Sequence, residues 1–223
     1  MKLTHIVTFQ GTIKCLTGLA IKGMNNEMNI GGADSEVIKN PLTGEPYIPG
    51  SSLKGKMRSQ LERKYGMRNK SDEQEFIKPC GCGKTTCPIC KIFGAHMNPG
   101  AKSAPTRIIV RDANLSEKTR KQIEELPLES GSYLEVKAEN LIKRDSGTAE
   151  SPRFMERVPA GAEFDFEIIL QVFENDNVQK LCDYVEEALR LVEASYLGGS
   201  GSRGYGKVAF DYGEPDIKTI EKV

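Results

Sequence analysis

Hydrophobic and polar positions alternate from the start of the chain. In "LTHIVTFQGTIKC" (residues 3–15), Leu3, His5, Val7 and Phe9 share one side and Ile6 takes the other, which predicts a strand. The same period returns most clearly in "GAEFDFEIILQVF" (161–173), where Phe164, Phe166, Ile168, Leu170 and Val172 alternate with mostly polar neighbours. "TRIIVRDANL" (106–115) and "GSYLEVKAENLIKR" (131–144) read as further strands, the latter followed by a Gly/Ser/Pro-rich connection from Asp145 to Arg153. Elsewhere the period lengthens. Leu53, Met57, Leu61 and Tyr65 recur at i+4 behind an N-cap at Ser51 or Ser52, and Gly66 can end that helix. A second amphipathic helix covers roughly Val178 to Ser195, with Leu181, Cys182, Val185, Leu189 and Val192 inward. A short third one, "EKTRKQIEEL", is capped by Ser116 and stopped by Pro127. The resulting order is β-α-β-β-α-β, that of an α+β, ferredoxin-like fold carrying insertions.

Between the first strand and the first long helix lie 35 residues (16–50) crowded with Gly, Asn and Pro. A structureless stretch of that length inside a compact domain is uncommon and usually functional. No apolar run is long enough to span a membrane, and "MKLTHIVTFQ" alternates rather than forming a signal peptide, so the expected compartment is the cytosol.

Charge changes the picture. The 223 residues carry 31 Lys and Arg against 31 Asp and Glu, a net charge of zero. From Ser51 to Lys70, however, seven bases (Lys54, Lys56, Arg58, Arg63, Lys64, Arg68, Lys70) face a single acid, Glu62. From Gly161 to Glu193 nine acids face Lys180 and Arg190. Such segregation gives the molecule one positive and one negative face, and the positive one suits a polyanion.

Four of the six cysteines, Cys80, Cys82, Cys87 and Cys90, fall in one Gly/Pro-rich knuckle as C-x-C-x4-C-x2-C. Thiolates so spaced can converge on one tetrahedral Zn²⁺. The one-residue spacing between Cys80 and Cys82 leaves His96 as an alternative fourth ligand. Either set fills the coordination sphere with protein atoms, so the metal is expected to be structural. Cys15 and Cys182 sit inside apolar elements and read as core residues.

Two elements suit phosphate. "PGSSLKGKMRS" puts backbone N–H groups, the hydroxyls of Ser51 and Ser52 and a helix dipole beside Lys54, Lys56 and Arg58. "GGSGSRGYG" (198–206) offers Gly199 and Gly201 for close backbone approach, with Arg203 and Tyr205 to pair with and stack on a nucleotide. No G-K-[ST] follows the glycines, which argues against an NTPase. With His5 and His96 the only histidines, a paired-histidine ribonuclease has little support.

"TGLAIKG", "NIGGADSEVIKNPLTGEPYIPGSSLKGKMRS", "CPICKIFG", "ERVPAGAEFDFEI" and "LGGSGSRGYGKV" occur in that order. Together they resemble the backbone subunits of type III-A CRISPR–Csm effector complexes, members of the RAMP superfamily, over nearly the whole chain. The resemblance implies a modified ferredoxin-like (RRM-like) palm in a single RAMP domain, residues 1–223, with insertions at about 71–100 (zinc knuckle) and about 143–157 (a thumb β-hairpin). It implies that copies stack in a filament along one CRISPR RNA guide beside other Csm complex subunits, and that guide pairing selects the target RNA while the protein reads backbone and shape. Lys54 and Arg58 match its guide-contacting positions and the 198–206 loop its RNA-facing loop. Asp34 of "IGGADSEVI" matches the catalytic Asp that cleaves target RNA once per subunit, through the neighbouring 2′-hydroxyl and a divalent cation, expected to be Mg²⁺. That carboxylate either holds the hydrated metal or helps deprotonate the hydroxyl. Family members often carry His or Arg where this chain has Ala20, so no role passes to Ala20, and Lys22 stands nearby as a substitute. A non-cleaving RNA scaffold of the same superfamily is the main alternative, and a guide-processing ribonuclease or a zinc-ribbon module are more distant ones.

Overall fold

A computed structural model describes residues 1–23, 35–66, 78–125 and 133–220. Among these, seven strands form one sheet in the order β2-β4-β7-β1-β8, with β3 also on β7 and β9 also on β1. The strands are β1 (Leu3–Cys15), β2 (Tyr47–Ile48), β3 (Ile108–Val110), β4 (Ala113–Leu115), β7 (Glu163–Phe173), β8 (Val208–Tyr212) and β9 (Asp216–Thr219). A separate two-stranded hairpin joins β5 (Glu135–Ile142) and β6 (Ala149–Arg157). The helices are α1 (Gly50–Tyr65), α2 (Pro88–Phe93), α3 (Glu117–Glu124) and α4 (Val178–Glu193). No described helix is long and apolar enough to cross a membrane.

The centre of the sheet is the antiparallel pair of β1 and β7, running from Leu3↔Phe173 to Lys14↔Glu163. Alternation puts Phe164, Phe166, Ile168, Leu170 and Val172 on one face, all buried, with Val7, Phe9, Ile13 and Cys15 beside them. Leu53, Met57 and Leu61 of α1, together with Leu181, Val185, Leu189 and Val192 of α4, complete the same core. The opposite face is polar: the Glu167 carboxylate accepts from Gln10 at 2.7 Å, and Glu163 pairs with Lys14 and Lys118. Cys15 and Cys182 are core residues as expected, and burial pushes their thiols up to about 12 and about 11.

The local expectations shift in four places. Helix α1 begins at Gly50 with Pro49 at the N-cap and no side-chain cap, so Ser51 and Ser52 lie within its first turn. The Gly50 N–H donates instead to Asp112 Oδ1 at 2.7 Å, and a Cβ at Gly50 would lie 2.2 Å from the Val110 carbonyl oxygen. Tyr65 faces α4 rather than the core, its hydroxyl donating to Glu187 at 2.6 Å, because the apolar stripe ends at Leu61. The single strand expected over 106–115 is two, because four steps from Val110 to Asn114 match only three on β7, from Ile168 to Asp165. The connection after Asp145 is largely strand β6. Its register slips opposite Asn140, where Ser151 takes φ 52°, and this bulge accommodates Pro152. The expected stop at Pro127 lies outside the described residues.

Candidate functional site

The entrance of α1 carries the basic cluster. Lys54 is half-buried, and among the described residues no carboxylate lies within ion-pair distance of it. Burial, with Arg58 nearby, lowers its ammonium below the ordinary lysine value. Lys56 places Nζ 3.4 Å from the centroid of the Tyr196 ring, a cation–π contact, and burial followed by Arg63 lowers its pKa as well. A Cβ at Gly201 would meet that same ring at 2.1 Å. Only glycine lets the loop lie on Tyr196, so α1 and the Gly-rich loop are joined through one aromatic ring. Lys64 pairs with Glu187.

Arg58 is committed inward. Its Nε donates to Glu62 Oε1 at 2.8 Å and its Nη2 to the Cys80 carbonyl at 2.7 Å. Glu62 Oε1 also accepts the Cys80 N–H at 3.0 Å. The Arg58–Glu62 pair therefore satisfies both backbone groups of the first knuckle cysteine, which the sequence reading of Arg58 as an RNA contact did not anticipate.

The Gly-rich loop is strapped to the chain after β1. The Gly199 N–H donates to the Ala20 carbonyl at 2.8 Å and the Gly206 N–H to Gly18 at 2.9 Å. Gly206 adopts φ 73°, and a Cβ there would lie 1.9 Å from the Leu197 carbonyl oxygen. Arg203 donates to Glu139 Oε2 of β5 at 3.0 Å. The expectation that Tyr205 stacks on a nucleotide is corrected here. Its ring is 1% exposed, its hydroxyl donates to Glu139 Oε1 at 2.6 Å, and Lys137 and Arg157 lie over the ring. Burial, then Glu139, pushes its phenol up to about 12, and the Tyr205 and Arg203 contacts hold the Glu139 carboxyl below its usual value. Tyr205 fastens the hairpin to the loop.

Between hairpin and loop lies a cleft of about 510 Å³, lined by Lys22, Ser35, Arg153, Ser200, Ser202 and Arg203, with Met155 buried beneath. Isolated bridges gather these segments: Leu19 with Val158, Lys22 with Val37, and Ser35 with Met155. Asp34 lies outside the described residues; Ser35, its neighbour in the chain, is on the cleft wall. Ser200, Ser202 and Arg153 had no motif to mark them individually.

The four knuckle thiols converge. Cys80, Cys82, Cys87 and Cys90 all lie within 4.8 Å of one another, with Sγ···Sγ separations of 3.9 Å (80–87), 3.7 Å (82–90) and 3.6 Å (80–90). Four sulfurs each about 2.3 Å from a tetrahedral ion sit about 3.8 Å apart. The donor set and spacing thus fit a metal such as zinc. His96 is not in the cluster and contributes its backbone N–H to the Cys80 carbonyl at 3.2 Å. Burial raises the Cys87 and Cys90 thiols; at Cys82 burial is outweighed by hydrogen bonds from the Lys84 backbone and neighbouring sulfurs, and the thiol is lowered. A metal displaces these protons, making its affinity pH-dependent.

Fold and site define an antiparallel α+β protein with a four-cysteine cluster whose geometry suits a metal, a separate two-stranded hairpin and a basic cleft at its base. The RAMP superfamily model matches residues 12–209. The chain is 43% identical over 218 residues to the CRISPR system Cms endoribonuclease Csm3 of Methanocaldococcus jannaschii, covering 97% of this chain and 81% of that one. It is 38% identical to the protein of the same name from Streptococcus thermophilus, covering 97% and 96%. Among solved structures, a Csm3–Csm4 subcomplex of the type III-A CRISPR-Cas interference complex aligns with TM-score 0.61 at 31% identity, over 99% of this chain and 83% of that one. Csm3 of Methanopyrus kandleri shares the fold, with TM-score 0.65 at 23% identity over 98% and 79%. The chain belongs to the RAMP superfamily.

Proposed function

We propose that this chain is the guide-binding backbone subunit of a type III-A CRISPR complex and cleaves target RNA paired to the guide. The observation that carries the reading is near-full-length identity of 38–43% to proteins named as Csm3 endoribonucleases. On this reading the whole chain is one RAMP domain, with a knuckle insertion at about 71–100 and a thumb at about 143–157, extended by the pairing of β5 with β6 to begin near Glu135. The palm is ferredoxin-like: β8-β1-β7-β4 corresponds to a fourth-first-third-second strand order, which supports that assignment. The partners are a CRISPR RNA guide, target RNA, other copies of this chain in a filament and other Csm subunits, and the compartment is the cytoplasm.

Lys54, Lys56, Ser51 and Ser52 grip guide phosphates at the α1 entrance, and the backbone at Gly199 and Gly201 with Arg203 forms the second contact. Arg58 and Tyr205 serve mainly to hold the knuckle and the thumb in place. Zn²⁺ in the Cys80–Cys82–Cys87–Cys90 cluster is structural, since all four positions are protein sulfur and no open site remains for chemistry.

The chemistry is transesterification. The ribose 2′-hydroxyl attacks the adjacent phosphorus, the P–O5′ bond breaks, and a 2′,3′-cyclic phosphate and a 5′-hydroxyl result once a proton has passed from nucleophile to leaving group. Asp34 is assigned as the catalytic carboxylate. That carboxylate either holds the hydrated metal or helps deprotonate the 2′-hydroxyl. Mg²⁺, when bound, supplies Lewis-acid stabilisation of phosphate charge. The test is cleavage of guide-complementary RNA by the assembled complex. Evenly spaced cuts that need Mg²⁺ and vanish in Asp34→Ala are expected; target binding without cuts in the wild type leaves a scaffold.

A further inference from the structure

The unpaired cations of the cleft are few. At its rim Arg203 is neutralised by Glu139, and around the hairpin Lys137 also pairs with Glu139, Arg157 with Glu135, Lys143 with Glu150 and Lys39 with Glu156. Arg153 and Lys22, which line the cleft, have no ion-pair partner among the described residues, and both are exposed. No carboxylate stands among the described lining residues. A concavity whose described lining offers two unpaired cations, three hydroxyls and no acid suits an anion with several oxygens. Its volume lies within the range of about 300–1,000 Å³ usual for small-molecule sites, enough for one nucleotide.

Position narrows the anion further. Arg153 and Met155 are two residues apart on β6, hence on one face of the strand, and Ser35 bridges to Met155 while its carbonyl accepts the Glu156 N–H at 3.0 Å. Asp34 directly precedes Ser35 in the sequence. The thumb segment that carries Arg153 is thus bridged to Ser35, the residue that follows the carboxylate assigned to catalysis in the sequence.

We propose that this cleft binds the scissile phosphodiester of the target RNA, with Arg153 and Lys22 contacting its non-bridging oxygens and Ser200 and Ser202 donating hydrogen bonds. Arg153 is then a catalytic residue: its fixed positive charge meets the extra negative charge that develops on the phosphorane oxygens. The proposal rests on the nuclease reading of the site and adds to it the groups that stabilise the transition state.

The test uses the assembled, guide-loaded complex. Arg153→Ala is expected to leave guide content unchanged and target affinity within about threefold, while single-turnover cleavage slows by about 100-fold, the scale seen when one oxyanion donor is removed. Arg153→Lys is expected to recover part of that loss, and Lys22→Ala to slow cleavage less. An unchanged rate, or a loss of guide content in proportion to the loss of rate, overturns the assignment, the latter making Arg153 a guide contact. A second arm needs no cleavage. A target with a 2′-deoxy, neutral methylphosphonate linkage at the cut position is expected to bind wild type several-fold more weakly than its phosphodiester counterpart. The same pair is expected to bind an Arg153→Ala/Lys22→Ala complex equally well. An equal penalty in both complexes overturns the proposal. A wild-type complex that binds but never cuts sinks the nuclease reading, and the methylphosphonate arm still decides whether the cleft holds that phosphate.

Discussion

Replacing Glu62 by Gln separates two explanations of the basic helix. Glu62 is 6% exposed and its Oε1 holds both the Arg58 guanidinium at 2.8 Å and the Cys80 N–H at 3.0 Å. Removing one partner of a buried ion pair costs about 3–5 kcal/mol, because the other charge is left uncompensated. The Arg58 side chain is 16% exposed and retains the Cys80 carbonyl as an acceptor, which brings the expectation down to about 2–3 kcal/mol. At about 2–4 °C per kcal/mol for a chain of this size, the melting temperature of the zinc-loaded protein should fall by about 4–12 °C. Because Cys80 belongs to the metal cluster, zinc affinity measured by chelator competition should fall by about 10- to 100-fold. Arg58→Met should produce much of the same loss, and Arg58→Met/Glu62→Gln should lose less than the sum of the single changes, with coupling of about 1–3 kcal/mol. Additive losses, or an Arg58→Met protein that melts like wild type but binds RNA with a flatter salt slope, would refute the buttress and return Arg58 to the RNA surface.

Native mass spectrometry should find one zinc per chain, and a chelator should lower the melting temperature while making the knuckle thiols reactive. Exposed Cys82 should react first and buried Cys15 and Cys182 should stay silent. Burial raises the Asp176 carboxyl, but hydrogen bonds from Arg107, the Phe173 N–H and Lys91 outweigh it, leaving the pKa below the model-peptide value. A pKa depressed by folding stabilises above about pH 4 and loses that contribution as pH falls through the folded value. Asp176→Asn should therefore cost about 3–5 kcal/mol at pH 7, with the gap to wild type closing below about pH 4 in denaturant titrations, since the partner Arg107 is almost fully buried. Gly206→Ala should destabilise by more than about 2 kcal/mol in thermal melts, since a left-handed backbone cost adds to a clash with the Leu197 carbonyl. Lys54→Ala should flatten the salt dependence of guide binding by about 0.7 in log–log slope, with the melting temperature nearly unchanged.

What the sequence determined was local. Strand β7 was legible because one-sided burial forces every second residue apolar, and α4 because its inward positions recur at helical spacing. The four clustered thiols were legible because they fall within eleven residues, which leaves little freedom in how they converge. The motifs of the α1 entrance and the Gly-rich loop were likewise visible as strings. What only the tertiary structure decided was which of those residues remain available. Arg58 and Lys56 are alike in sequence, yet the two-residue step between them, about 200° around the helix, sends Arg58 to the Cys80 backbone and Lys56 to the Tyr196 ring. Tyr205 carries the same loop signal as Arg203, but the strap to Gly18 buries it beneath the hairpin. The cleft itself draws on residues near 22, 35, 153 and 200, brought together by single bridges and long-range hydrogen bonds. No period or spacing encodes such a meeting, because nearest-neighbour chemistry sets elements, whereas charge neutralisation and access to ligand depend on what packs across them.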